Sequence, residues 1–536
     1  MKYLSSILFL FSFSTSAQQL NINHTRFLGG SGGDNCYYSI STRDGGVLVV
    51  GGTTSVTAGG GDVPLGITDS SLNVYICKLD SNKNVSWVKV YGGTLNDIAL
   101  SACQTNDGGY AVLATTISTD GDVVGLKGAD DIWLIKIDSL GNKLWAKCYG
   151  SSQSDQAISI ATTPDNGLIL FGVTNGQDGD SYVHYGGSFS YDWLIIKTDS
   201  IGNKEWGKVI GSTNDESSIG SIFSANGSYY FASAAVTSDH DCIDSSWHPG
   251  VNTGSDYYLF KLDTSGNILW AHSYGGSHNE WAYNAFWDNR DSCILMVGSS
   301  ASVDYFVSNF HGGGSDMCVM KTDRNGILKW AKCYGDYSDD LGISITKGHD
   351  SGYVILGTTI DGTNPPAPHI NQQDAWAFDI SKGGDERANK IFGSVKYESA
   401  GSVVSFKNMF LFSGFTDATV TPFTEGVCSP FHGEGDIFLT YMDYWPASIL
   451  PIVLPSPKLH LSPNPTKGKV RIEFPISDNS SIISITDISG KEIFHQILEP
   501  HTDYLDINVK GWTKGSYVIR WQNIDGNKLQ EKLVTY

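Results

Sequence analysis

The chain has 536 residues, 35 Lys plus Arg against 56 Asp plus Glu, a formal net charge of −21 and a pI near 4.9. Nucleic-acid binding needs a basic footprint, so this balance argues against it and suits solubility outside the cell. The nine cysteines show no C-x-x-C spacing, which removes the usual zinc and dithiol redox motifs.

Residues 1–17 hold one lysine, the apolar run Ile7 to Phe13, then Thr15-Ser16-Ala17. This is a signal-peptide pattern, too short to span a membrane, and no later run is long enough to do so. From residue 18 to 445 a single unit repeats. The glycine closing a Y-G-G-like motif recurs at Gly29, Gly92, Gly150, Gly211, Gly275, Gly335 and Gly393, a spacing of roughly 60 residues. Five residues on stands an acid: Asp34, Asp97, Asp155, Glu216, Glu280, Asp340 or Glu398. Two further on is a small residue, Cys36, Ala99, Ala157, Ser218, Ala282, Gly342 or Ala400, which fits an innermost strand crowded around a central channel.

A later run carries acid-x-x-x-x-Lys-x-Asp, as in Asp131/Lys136/Asp138 and Asp192/Lys197/Asp199, followed by a turn glycine and Trp145 or Trp206. Each repeat holds four short runs rich in β-branched and aromatic residues, separated by Gly/Asp/Asn turns. The predicted fold is all-β: a seven-bladed β-propeller, whose radial closure hides sheet edges, followed by a small C-terminal β-sandwich. The tryptophan should pack between blades. The arrangement resembles the SBBP-type β-propeller repeat of secreted bacterial proteins over roughly residues 24–445. Repeats six and seven depart from it, with Ala388 in place of tryptophan and Asp379 and Tyr441 in place of lysine; looser blades are expected there.

His24-Thr25-Arg26-Phe27-Leu28-Gly29 aligns with the outermost strand of other repeats, while repeat seven stops at Asp443 without one. The N-terminal segment is therefore expected to complete the last blade. Pro446, Pro451, Pro455 and Pro457 mark residues 446–458 as a stiff linker. Beyond it, Leu461-Ser-Pro-Asn-Pro465, Ile485-Thr-Asp-Ile-Ser-Gly-Lys-Glu492, Leu505-Asp-Ile507 and Gly515-Ser-Tyr-Val-Ile519 resemble, in order and spacing, the type A C-terminal sorting domain of the type IX secretion system. The resemblance covers 459–536. It implies a β-sandwich that addresses cargo across the outer membrane, the type IX machinery as partner, and an extracellular or outer-membrane-surface location reached through the periplasm.

Cys36, Cys77, Cys103, Cys148, Cys293, Cys318 and Cys333 fall in predicted strands as buried thiols, while Cys242 and Cys428 lie in loops and could pair. No H-E-x-x-H, G-x-S-x-G or Walker pattern occurs. In an antiparallel blade alternate connections share a face, so D-G-G and D-x-x-G-N turns occupy one end of the ring. The opposite end carries the Y-G-G connections and long polar loops, where binding residues tend to sit.

Those loops hold Asp120, Asp122, Asp178, Asp180, Asp239, Asp241 and Asp244, as well as His184, His240, His248, His311, His369 and His432. Closely spaced carboxylates with glycine-turn carbonyls suit Ca²⁺; Asx-turn chemistry with solvated acids is the alternative. The histidines read as imidazoles bonded to loop carbonyls or as metal ligands. The acids from Asp34 to Glu398 read as ties to backbone N–H groups between blades. The expected function is a secreted or surface-displayed, non-catalytic recognition module for glycan or protein. Its rival is an extracellular carboxylate-dependent hydrolase or lyase with its site at the loop-rich end.

Overall fold

The computed structural model describes residues 19–56, 61–64, 70–187, 190–236, 239–242, 254–305, 308–360, 373–394, 396–418, 427–428, 430–445, 459–474, 480–500, 502, 504–523 and 528–536. The expected signal peptide, 1–17, and the expected linker, 446–458, lie outside them, as do Asp244, His248 and His369. Contacts divide the chain into Ala17–Ala447 and a second compact part that includes Ser448–Tyr536. Among the described residues no helix is long and apolar enough to cross a membrane, and the fold is propeller-like and all-β.

Repeat two shows the pattern. Asp97–Gln104, Tyr110–Thr116, Asp131–Ile137 and Lys143–Tyr149 form an antiparallel sheet in chain order. Repeats one and three to six build the same four-stranded sheet. The innermost strand of each touches that of the next, and Glu398–Phe406 of repeat seven touches Asp34–Ser41 of repeat one, so the cycle closes. The last sheet is Glu398–Phe406, Met409–Thr416 and Asp436–Trp445, with Gln19–Leu28 added from the other end of the chain. Gln19–Leu28 runs antiparallel to Asp436–Trp445, and buries Leu20 and Phe27 among Phe412, Phe438 and Met442. A two-residue strand, Val427–Cys428, pairs parallel on its outer side, which the sequence did not signal.

The repeat letters acquire physical reasons at the joints between sheets. The acid five residues after the glycine folds back to accept the N–H of the residue following that glycine: Gly30 to Asp34 at 2.7 Å, Gly93 to Asp97 at 2.8 Å, Ser151 to Asp155 at 2.6 Å and Gly276 to Glu280 at 2.9 Å. A hydroxyl near the end of the second strand adds a bond, as from Ser55 to Asp34 at 2.8 Å and Thr416 to Glu398 at 2.7 Å. The glycine is required by space: a Cβ on Gly335 would stand 2.6 Å from Asp340 Oδ2 and 2.9 Å from Asp316 Oδ1. The expected tie between blades is thus present.

The outermost strand docks on the next sheet's hairpin turn. Trp87 donates its indole N–H to the Ser139 carbonyl at 3.1 Å, and Tyr149 donates its hydroxyl to the Gly202 carbonyl at 2.5 Å. Gly141 has φ of 79°, and a Cβ there would strike the Trp87 ring at 2.8 Å, so turn and packing both demand glycine. On the third strand, buried Lys78, Lys136, Lys197 and Lys321 reach Asp44, Asp107, Asp165 and Asp291 at 2.8 to 2.9 Å, pinning the turn between the first two strands. In repeat six the expected lysine is Asp379, and Arg387 on the outermost strand pairs with both Asp379 and Asp350. The charge is supplied from another strand, which offsets the expected loosening of that repeat.

The small residue two after the acid stands on the innermost strand, as expected; Ala99 is buried in a cluster with Val50 and Val74 of repeat one and Ala114 of its own sheet. A register shift follows it, between Ala99 and Ser101 and again between Ala157 and Ser159, and the bulged residues Leu100 and Ile158 line the channel. The next polar residue accepts an amide from the following repeat, as Ser221 does from Ala285 N at 2.7 Å and Ser344 from Val403 N at 3.1 Å. One expectation needs correction: Cys318 and Cys333 are not free thiols. They face each other across the third and outermost strands of repeat five, with Cα atoms 4.1 Å apart, and form a disulfide. In repeat two the corresponding partner of Cys148 is Trp133.

The C-terminal part has a three-stranded sheet, His460–Ser462, Lys469–Glu473 and Tyr504–Asn508, and a four-stranded sheet ending in Lys528–Thr535. Val470, Ile472, Ile485, Ile519, Trp521 and Leu533 fill the core between them, a β-sandwich. Asn464 of the Pro-Asn-Pro motif accepts from Val534 N at 2.9 Å and donates to the Lys532 carbonyl at 2.7 Å, pinning the motif to the last strand.

Removing residues 19–28 exposes the edge of Asp436–Trp445 and part of a buried apolar cluster. The truncated protein is expected to melt at lower temperature and to self-associate by light scattering; an unchanged melt of a monomer would show that this strand does not close the ring.

Candidate functional site

The loop-bearing end of the ring is assembled from two kinds of connection that latch together. In repeat two Asp120 accepts from Thr94 N at 2.8 Å and from the Thr94 hydroxyl at 2.9 Å, and Asp122 N donates to the Gly92 carbonyl at 2.8 Å. Repeat three repeats the arrangement: Asp178 accepts from Ser152 N at 2.7 Å and Asp180 N donates to the Gly150 carbonyl at 2.9 Å. In repeat four Asp239 accepts from Thr213 N at 2.9 Å, and Asp241 accepts the Tyr185 hydroxyl at 2.8 Å. Lys143 pairs with Asp122, and Lys127 and Lys204 reach Asp180 at 2.5 Å. The acids singled out in the sequence therefore fasten long loops to Y-G-G connections. The structure brings them together in pairs with amides and lysines. Among the described residues no three His, Cys, Asp or Glu side chains are grouped to hold a metal ion.

The loop histidines have a common role. His184 Nδ1 lies 2.9 Å from Asp192 and His311 Nδ1 2.8 Å from Asp316, while His432 Nδ1 lies 3.4 Å from Asp436. Each of these aspartates is the buried acid that opens a third strand. The hydrogen bond and charge of Asp436 hold the His432 imidazolium above its ordinary value. His240 instead stacks on Tyr185 with ring centres 4.8 Å apart.

Strongly displaced carboxyls are present, but they are not open to solvent. Burial raises Asp34 and Asp131 to about 6, Asp256 and Asp340 to about 7, Asp374 to about 8 and Glu216 to about 9, with neighbouring acids adding to it. All six are at most 2% exposed. The central channel narrows to a cavity of about 110 Å³ among Tyr37, Leu100, Ile158, Tyr283 and Ile343. A second cavity of about 280 Å³ lies among Phe286, Trp287, Lys347 and Tyr38. Neither lining includes a carboxylate, a histidine or a cysteine. A cleft of about 360 Å³ between repeats five and six does gather His311, Lys332, Asp336, Asp385 and Glu386. There Lys332 pairs with Asp385 at 2.7 Å and Glu386 accepts from Asn389 at 2.6 Å.

What the sequence reading did not single out is a set of exposed aromatic side chains on the loop-bearing end. Trp281 is 37% exposed, Tyr305 61%, Tyr337 83% and Tyr397 39%, and Tyr182 on the long loop of repeat three is 57% exposed. The first four come from repeats five, five, six and seven, which are consecutive around the closed cycle. They share no position within the repeat, so no periodic signal announces them.

A relative in Caulobacter vibrioides, the regulatory protein FlaEY, is 24% identical over 286 residues, which cover 50% of this chain and 29% of that protein. The chain thus spans under a third of that relative. A crystal structure of a protein of unknown function from Dyadobacter fermentans is matched over 80% of this chain and 99% of that one, at 8% identity and a TM-score of 0.38. A DUF4221 family member from Bacteroides vulgatus is matched over 81% and 100%, at 9% identity and a TM-score of 0.39. Residues 460–536 match the secretion system C-terminal sorting domain, so the chain carries a type IX sorting tail and is cargo for export to the cell surface or extracellular space.

Proposed function

We propose that residues 18–445 form a seven-bladed SBBP-type β-propeller, displayed or released by type IX secretion, that recognises a glycan or a protein without catalysis. The observation carrying this reading is the group of exposed Trp281, Tyr305, Tyr337 and Tyr397, from three consecutive repeats, on the end where the irregular loops emerge. Exposed Tyr and Trp offer large contact area at low entropic cost and are enriched in recognition surfaces. The closed cycle of innermost strands supports the blade count. The rival, a carboxylate-dependent hydrolase or lyase, lacks support where it would need it, because the raised carboxyls are buried at the joints and the channel lining carries no acid.

The test is an array of glycans and surface proteins probed with the secreted chain. Trp281→Ala and Tyr337→Ala are each expected to weaken the captured ligand about tenfold, the ~1–2 kcal/mol typical of an aromatic contact, with the melt unchanged. Turnover of an arrayed glycan, or binding untouched by both substitutions, would reject the recognition reading.

Export rests on the tail. Deleting residues 459–536 is expected to leave the protein in the periplasm, read by fractionation and immunoblot; normal surface or medium levels would reject that assignment.

Calcium at Asp120, Asp122, Asp178, Asp180, Asp239, Asp241 and Asp244 is a second proposal, supported by the spacing of these acids in the long loops and by Asp120 and Asp178 lying beside the Y-G-G connections. Ligand binding to the folded state raises its melting temperature by mass action. A melt that rises between EDTA and millimolar calcium, and no longer does so in Asp120→Asn/Asp122→Asn, supports calcium there; an unchanged melt rejects it.

A further inference from the structure

Two buried acids meet at six of the joints between sheets, and this arrangement has a consequence beyond holding loops. The first acid opens a third strand; the second is the one that follows the Y-G-G glycine of the next repeat. The pairs are Asp131/Asp155, Asp192/Glu216, Asp256/Glu280, Asp316/Asp340, Asp374/Glu398 and Asp436/Asp34, all at most 2% exposed. Their convergence is fixed by the glycine between them. A Cβ on Gly393 would collide with both Asp374 Oδ1 and Glu398 Oε2, and one on Gly335 would lie 2.9 Å from Asp316 Oδ1 and 2.6 Å from Asp340 Oδ2. Asp374 Oδ1, Glu398 Oε2, Asp316 Oδ1 and Asp340 Oδ1 are buried acceptors with no hydrogen-bond donor. Two ionised acceptors facing each other away from water cost free energy that one shared proton removes.

Repeat one supplies an internal control. There Asn73 stands where the other repeats have the strand-opening acid, and a Cβ on Gly92 would collide with Asn73 Oδ1 and lie 2.7 Å from Asp97 Oδ2. Asn73 donates its Nδ2 to the Ser71 carbonyl at 3.1 Å and turns its uncharged amide oxygen to this joint, so here only one carboxylate has to be accommodated.

We propose that the Asp374/Glu398 and Asp192/Glu216 pairs each hold one proton in common at neutral pH, and that losing it in alkaline medium loosens those joints of the ring.

Among the described residues, the charged and titratable groups facing the pairs are few. His184, Cys242 and, through Tyr185, Asp241 surround Asp192/Glu216. Asp304 and Tyr257 flank Asp256/Glu280. His311 and Asp336 flank Asp316/Asp340, Lys127 and Asp130 flank Asp131/Asp155, and His432 and Asp62 flank Asp436/Asp34. Among the described residues, Glu398 accepts the Ser394 and Thr416 hydroxyls. Burial first, then the facing Glu398, raises Asp374 to about 8, and burial together with the facing Asp192 raises Glu216 to about 9. In the unfolded chain such groups ionise near pH ~4. The folded state therefore retains protons that the unfolded chain has released. The stabilisation is fully present below pH ~4 and is lost as pH rises through the folded values. Asp107 and Asp165 are displaced the other way; burial opposes it, but the Thr105 and Thr163 hydroxyls and the Lys136 and Lys197 ammonium groups bring them to about 2, so they act below this window. His432, raised by Asp436, adds stability lost in the same direction as the pairs.

The experiment is a series of thermal melts of the full chain between pH 5 and 9, beside Asp374→Asn and Asp192→Asn, which copy the Asn73 arrangement. The parent's melting temperature is expected to fall across the window, with up to a tenfold loss in the folding constant per pH unit for each shared proton. Both variants should show a smaller fall. The parent alone gives a second readout: an infrared carbonyl band of protonated carboxylic acid at pH 7, fading by pH 9, with no such band from ionised carboxylates. A melting temperature that stays flat or rises with pH, or a spectrum at pH 7 without the acid band, overturns the proposal.

Discussion

A carboxylate that turns back over a glycine to accept an amide four residues earlier is the contact on which the ring depends. It sits where the chain leaves one sheet and enters the next, so its failure would separate neighbouring sheets and not merely fray one. The bond from Gly30 to Asp34 or from Ser151 to Asp155 satisfies an amide that the crossing between sheets would otherwise leave unpaired in a buried place. The glycine gives way to the acid; the acid satisfies the amide; a Ser or Thr hydroxyl from the second strand satisfies the acid. Three recurring letters of the repeat are one hydrogen-bonded assembly.

The remaining recurring letters serve the opposite end and the rim of the same joint. Buried lysine pins the first turn of its own sheet, and Trp and Tyr from the outermost strand rest on the hairpin of the next. Repeat six shows that the requirement is for charge at a place and not for a letter: Asp379 replaces lysine, and Arg387, adjacent across the ladder, supplies the cation. Repeat one shows the same for conformation, since Lys83 takes φ of 73° at the turn position where Gly141 and Gly202 stand in later repeats. A single sequence read for letters registers such changes as departures; read for charge and backbone region they are substitutions within one design.

This explains how much was legible. The all-β sheets, the ring-closing N-terminal strand and the sorting tail each had a periodic or ordered signal, and each appears. The channel lining was not legible, because a bulge after Ala99 adds one residue to the strand and Leu100 lines the channel. Nothing in composition reveals a bulge. The Cys318–Cys333 disulfide was equally hidden, because strand pairing alone does not say that two cysteines fifteen residues apart fall directly opposite. The loop acids were correctly placed at the irregular end, yet their partners, the Thr94 and Ser152 amides, come from a connection 26 residues away.

Function is legible in the opposite way, through what the repeat does not require. An exposed aromatic ring stabilises no joint and costs solubility, so an aromatic kept at one repeat position could still be attributed to the scaffold. Trp281, Tyr305, Tyr337 and Tyr397 occupy four different positions, and the equivalent places in other repeats hold unrelated residues, such as Thr94 for Tyr337. They coincide in space, on one end of the ring and on consecutive repeats. A scaffold constraint acting on every repeat would have produced periodicity. A single partner laid across consecutive repeats would produce what is observed, contacts at whatever position reaches it, and the acids buried beneath keep the loops that carry those contacts in place.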